Sequence, residues 1–194
     1  MHFRLMLFAA LVWLSPLSFA APQHALTVYG EAPKYAPDFQ HLAYANPAAP
    51  KGGTLRRSSL ESGPFDHLIP YIDKGTGVAD IDGWLYAPLA YRSKDEPYSV
   101  YGLVAQRMEL DADRRWLRFY LNPKARFEDG TPITAEDVRY TFELFTAQGS
   151  LKYRQQSRDV AEVQVESPTQ VRFVFKNNES RTCLLYTSPS PRDS

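Results

Sequence analysis

Residues 116–138 read WLRFYLNPKARFEDGTPITAEDV, from Trp116 to Val138, and they change periodicity partway along. From Trp116 to Leu121, the residues Leu117, Phe119 and Leu121 alternate with Trp116, Arg118 and Tyr120, which is the period-two pattern of a strand. Both faces of that strand are partly apolar, so both are expected to be covered. Phe127-Glu128-Asp129-Gly130 then turns the chain. Thr134 opens a helix with a capping box: its hydroxyl can accept from the backbone of Asp137, whose carboxylate reaches back. Ile133 and Val138 stand at staple positions. Ala135, Val138, Phe142 and Phe145 form one apolar face, and Gly149 ends the element.

Working outward, Ala161 to Glu166 alternates strictly, as does Val171-Arg172-Phe173 beyond Ser167-Pro168-Thr169-Gln170, and the two runs predict a hairpin. Upstream, Thr54 to Leu60 reads as a strand followed by a loop at Glu61-Ser62-Gly63-Pro64, and the spacing of Ile81, Leu85 and Leu89 predicts a helix over Val78 to Leu89. Residues 22–53 are rich in Pro and Ala and read as an extended segment laid over a domain, with one short strand near Ala25 to Tyr29. Strands mixed with helices, some joined by hairpins, give an α/β or α+β domain with a mixed sheet.

The chain has 194 residues, 44% hydrophobic and 13% aromatic, enough for one domain with a real core. Its 22 basic residues balance 22 acidic ones, so total charge points to neither a nucleic acid nor an anionic membrane as partner. Met1 to Ala21 has the parts of a secretory signal: a short polar start with Arg4, an apolar run from Leu5 to Leu14, and small residues at Ser18 and Ala20. That run is too short to span a bilayer, and no cysteine near the cleavage site could carry a lipid. The expected compartment is a bacterial periplasm. The one cysteine, Cys183, lies in the final stretch, so no disulfide framework is expected and stability must come from packing.

Catalytic chemistry finds little footing. Glu128, Asp129, Glu136 and Asp137 could be read as paired carboxylates or a calcium loop, but tight turns and the first turn of a helix favour acids anyway. His2, His24, His41 and His67 show no metal-ligand spacing. Lys51-Gly52-Gly53-Thr54 has its lysine before the glycines, unlike a phosphate loop, and Glu61-Ser62-Gly63 lacks the glycine that a nucleophile elbow requires. The expectation is a protein that catalyses nothing and holds neither metal nor cofactor. The aromatic residues between Tyr71 and Tyr101 suit either a core or a binding cleft.

The run from Trp116 to Val138, with Trp116, Phe119, Phe127, Asp129, Gly130, Thr134, Asp137 and Val138 as its marks, closely resembles the signature of the family 5 extracellular solute-binding proteins, the receptors of ABC importers. Tyr44 to Gly53 and Asp95-Glu96-Pro97 look like the branch that binds oligopeptides and microcin C. The resemblance runs from about Leu26 to Glu179. It implies a two-lobed periplasmic-binding-protein fold of class II, in which residues 54–181 are an incomplete first lobe. It also implies a peptide ligand, an inner-membrane ABC permease as partner, and a monomer at full length. A peptide sensor or chaperone-like protein that drives no transport is the alternative. Ligands of open α/β sheets sit beyond the carboxyl ends of strands, so Glu61, Ser62, Gly63, Phe65 and Asp66 are the expected ligand contacts. Residues 182–194 depart from the family. Cys183 to Asp193 match the translation of a transposon-end sequencing adapter, so this stretch is expected to be non-native, with true sequence ending at Arg181 or Thr182.

Overall fold

The computed structural model describes residues 21–177, apart from residues 28, 55, 57–64, 70 and 79–80. The secretory signal before Ala21, most of the strand expected over Thr54 to Leu60, and the expected non-native stretch lie outside the described residues.

Two sheets organise the chain. The larger has four strands in the order β4-β5-β7-β6, with β4 Ala105–Leu110, β5 Trp116–Leu121, β6 Val160–Ser167 and β7 Gln170–Phe175. The smaller has three strands in the order β1-β3-β2, with β1 Ala25–Thr27, β2 Ala90–Arg92 and β3 Ser99–Gly102. Every pairing between these strands is antiparallel. The mixed α and β content is as expected, while a mixture of strand directions is not found among the named strands. The reason is connectivity, since tight turns join β4 to β5 and β6 to β7 where a parallel pair would need a long crossover.

Alternation along β5 divides two environments. Leu117, Phe119 and Leu121 are buried in a core shared with Val163, Val171, Phe173 and Phe175 of the neighbouring strands. Phe119 and Phe173 meet edge to face at 5.6 Å. On the other face, Arg118 donates to Glu109 at 2.8 Å and to Glu166 at 2.5 Å, and Arg172 reaches Glu166 at 2.5 Å. The Arg118 and Arg172 guanidinium groups both lie over the Trp116 ring, at 4.7 and 5.7 Å.

The turn and helix after β5 form as their residues dictate. Gly130 takes φ +84°, a conformation that side-chain-bearing residues rarely adopt, and the Asp129 carboxylate accepts from the backbone and hydroxyl of Thr131 at 2.8 and 2.7 Å. Helix α2, Ala135–Gln148, begins at a complete capping box: Asp137 N donates to Thr134 Oγ1 and Thr134 N donates to the Asp137 carboxylate. Ile133 and Val138 are both buried in the main core, as a hydrophobic staple requires. At Gly149 a Cβ would lie 2.4 Å from the Phe145 carbonyl, so the helix must end on glycine. The short helix α3, Leu151–Gln156, follows at once. The β6–β7 turn ties these parts together, because Pro168 O accepts from Ala135 N and Thr169 O from Leu121 N, each at 2.8 Å.

One expected element is corrected. In place of a helix over Val78 to Leu89 there is only α1, Asp82–Leu85. Pro88 has no N–H to give and biases Ala87 away from helical geometry. The carbonyl of Leu89 instead accepts from Leu103 and Ala105, which draws the chain into β2. Ile81 and Leu89 are buried, but Leu85 is 53% exposed. The strand near Ala25 is also shorter than expected.

Replacing Thr134 with Ala removes the cap acceptor while leaving the helix sequence intact. The expected loss is about 1 kcal/mol of unfolding free energy, read from urea denaturation of the T134A chain against the parent.

Candidate functional site

Of the five residues expected to meet a ligand, Glu61, Ser62 and Gly63 lie outside the described residues. Phe65 is 59% exposed. Asp66 is tied to its own loop: its N–H donates to Thr76 O at 3.0 Å, and its carboxylate accepts from Thr76 N at 2.8 Å. Of the two described residues, Phe65 is therefore open to solvent and Asp66 is engaged in holding the backbone.

Beyond Asp66 the chain folds against the end of α2. Ser150 N donates to Tyr71 O at 2.6 Å and Leu151 N to the Asp73 carboxylate at 2.9 Å, fixing the loop to the α2–α3 junction. Tyr71, Phe145, Tyr86 and Tyr153 pack there as an aromatic cluster, with Tyr71 4.5 Å from Phe145 between ring centres. Beside it lies a cavity of about 230 Å³ lined by Ile69, Tyr71, Ile72, Tyr86, Leu144, Phe145, Gln148 and Gly149. Its walls are apolar, with the Gln148 amide as the one polar side chain apart from the tyrosines. Such a space suits a single apolar or aromatic side chain. Phe65, Leu68, Trp84 and Leu85 are more than half exposed, which leaves this region of the described surface rich in apolar groups.

A second constellation involves Asp95 and Glu96, whose place in the chain the sequence marked only by resemblance. Asp95 accepts from Lys34 Nζ at 2.7 Å, from the Tyr35 hydroxyl at 2.5 Å and from Ser93 Oγ. Glu96 accepts from the Tyr101 hydroxyl, from Ser99 Oγ at 2.8 Å and from Lys34 N at 3.0 Å. Tyr35, Phe39 and Tyr101 stack edge to face or tilted above them at 5.3–5.6 Å. These bonds fasten the extended N-terminal segment onto the β2–β3 connection, and Tyr35 N donates to the Tyr101 hydroxyl of β3 at 3.2 Å. The donors from Lys34, Ser93 and Tyr35 hold the Asp95 carboxyl well below the usual carboxylate range. Burial would push Glu96 up, but its hydroxyl and amide donors outweigh that and hold it down. Burial, reinforced by the bond to Glu96, pushes the Tyr101 phenol up to about 12. Each group is locked in its resting charge state, as suits a clamp and not proton transfer.

The residues of the family signature are scaffold. Phe119, Phe127 and Val138 are in the core, Thr134 and Asp137 cap α2, Asp129 and Gly130 build the turn, and Trp116 lies beneath two arginines. Among the described residues, no group of three His, Cys, Asp or Glu side chains could hold a metal ion, and no helix is long and apolar enough to cross a membrane.

Comparison with known proteins follows the same line. Residues 99–193 match the middle region of the bacterial extracellular solute-binding proteins, family 5. The chain is 44% identical over 131 residues to YejA of Escherichia coli (strain K12), which takes in 68% of this chain and 21% of that protein. It is 35% identical over 180 residues to the peptidoglycan-binding protein YepA of Agrobacterium fabrum, 89% of this chain and 29% of YepA. The BMEII0691 protein of Brucella melitensis is 34% identical over 169 residues, 83% of this chain and 27% of that protein, so the chain spans about a quarter of the length of the curated relatives it matches. The structure superposes on NikA from Brucella suis, solved in complex with Fe(III)-EDTA, with a TM-score of 0.52 at 18% identity, over 63% of this chain and 25% of NikA. The fold is thus that of part of a solute-binding protein.

A carboxylate whose folded pKa is depressed stabilises the fold above its unfolded value and loses that contribution as pH falls toward the folded one. Protection of the Lys34 to Ala43 amides against hydrogen exchange should therefore be unchanged from neutral pH down to about pH 4 and should fall below it. The D95N chain should show weakened protection of the same amides already at neutral pH.

Proposed function

The chain belongs to the bacterial extracellular solute-binding proteins, family 5, and on that premise we propose that it serves as the periplasmic peptide-binding component of an ABC-type uptake system. The observation that carries this reading is the match of residues 99–193 to the family, a stretch that includes the strand, turn and capped helix of the signature, together with the relatives of the YejA branch. A relative from Agrobacterium fabrum that is also called YejA, 38% identical over 110 residues, bears a peptide-binding description. In this reading the whole protein is a monomer reaching the periplasm through a cleaved signal at residues 1–21. It holds an extended peptide by main-chain hydrogen bonds and side-chain pockets, closes around it, and presents the closed form to an inner-membrane permease. Glu61, Ser62, Gly63, Phe65 and Asp66 supply contacts from the first lobe, and the open ring of Phe65 is the one best suited to cover an apolar side chain of the ligand. No group in the chain is assigned a catalytic role.

A second reading of the ligand has its own support. The alignment with YepA takes in 89% of this chain and comes with a peptidoglycan-binding description, which favours a peptide cut from cell-wall material over a nutrient peptide or a microcin-like conjugate.

Calorimetric titration of the protein with a mixed tri- to pentapeptide library, and separately with purified cell-wall peptides, distinguishes these. Binding at a hundredfold excess over Kd should add about 2.7 kcal/mol to the unfolding free energy, and the F65A chain should bind several-fold more weakly with unchanged stability. Heat from neither ligand set would overturn the peptide reading. Heat from the cell-wall peptides alone would establish the second.

A further inference from the structure

The cavity beside Tyr71 and Tyr86 has a buried floor and an open mouth. Tyr71, Tyr86, Phe145 and Gly149 are buried, whereas Ile69 and Ile72 are 38% and 37% exposed and Gln148 is exposed. Its shape is fixed before anything enters. The Tyr71 ring lies 4.5–5.1 Å from the rings of Phe145, Tyr153 and Tyr86. The bonds from Ser150 N to Tyr71 O and from Leu151 N to Asp73 hold the loop in place. A ligand therefore meets a wall that is already ordered, and its binding loses nothing to that ordering. Among the described residues no charged side chain lines the space. Asp73 and Glu143, beside Ile72 and Leu144 in the chain, are engaged by Arg154 and Arg139. The site thus favours a neutral group, since a charge taken in would lose its water with nothing to pair it.

We propose that this cavity is a subsite for one aromatic side chain, tryptophan or tyrosine, of the bound ligand, an inference that rests on the peptide-binding reading. Size is the first argument. A cavity of about 150 Å³ holds benzene, and this one, at about 230 Å³, has room for a phenol or an indole. The floor is the second, because three aromatic rings offer an entering ring the offset and edge contacts that an aliphatic chain cannot use. The Gln148 amide is the third: it can accept from the phenol O–H or the indole N–H that such a ring brings with it. The loop supplies the link to the peptide. Phe65 and Asp66, two of the expected contacts, stand four and three residues before Ile69, and exposed apolar side chains run along the chain from Phe65 through Leu68 to Ile69 at the mouth.

Indole is the probe, added to the protein with its isoleucine and leucine methyl groups labelled for NMR. It should shift the methyl signals of Ile69, Ile72 and Leu144 saturably, and acetamide, which has no ring, should not. A pentapeptide carrying one tryptophan should displace indole, and the same peptide with alanine in that place should not. In the I72W chain the new ring fills the mouth, so indole should bind at least about tenfold more weakly, the worth of burying one ring. Methyls that indole leaves unmoved in the parent overturn the proposal, independently of any variant's folding, as when the protein's own chain or a second copy occupies the cavity. Displacement of indole by both peptides, or by neither, overturns it as well. Failure of the peptide-binding reading looks different, since no peptide then gives heat on titration. Heat from the tryptophan peptide with the three residues' methyls unmoved sinks the subsite alone.

Discussion

Arg118 and Leu117 are neighbours in the chain and face opposite environments, one an ion network and the other an apolar core. The arrangement of β5 between β4 and β7 depends on that division. A shift of one residue in either pairing would turn Arg118 into the core and Leu117, Phe119 and Leu121 out of it. The cost would be several kcal/mol for the buried charge alone, beyond the lost apolar burial. Register is therefore set twice over, by what Leu117, Phe119 and Leu121 need and by what Arg118 cannot tolerate. Everything else in the larger sheet follows: β7 brings Phe173 against Phe119, and the β6–β7 turn meets both the end of β5 and the start of α2.

This explains why a family signature can be so clear and yet say little about binding. Asp129, Gly130, Thr134 and Asp137 look like chemistry because they are polar and closely spaced, but each is consumed by a turn or a cap. The signature identifies the scaffold. Recognition belongs to the loops the scaffold carries, whose residues are read only from the site itself.

The legible parts of the sequence were those whose forces act locally. The capping box spans three residues and the β6–β7 hairpin turns on Pro168-Thr169, so both could be read directly. The helix expected at Val78 to Leu89 failed because three apolar residues at helical spacing carry less weight than one proline, and because Leu89 is drawn into place by Leu103 and Ala105. Strands β2, β3 and β4 and helix α3 lie outside the elements that the sequence predicts. The two shorter strands are 3 and 4 residues long and owe their form to partners elsewhere. The bonds of Asp95 and Glu96 to Lys34 and Tyr35 connect residues 60 to 62 positions apart, which no local pattern announces.

The fastening of the N-terminal segment has a consequence in time. Tyr35 N bonds to a hydroxyl 66 residues later, and Lys34 and Tyr35 reach carboxylates nearly as distant. Ribosomes make the amino end first, so this segment emerges long before anything exists for it to hold, and it must stay unattached until Tyr101 has been made. The segment's attachment thus waits for the part of the chain that carries Asp95, Glu96 and Tyr101.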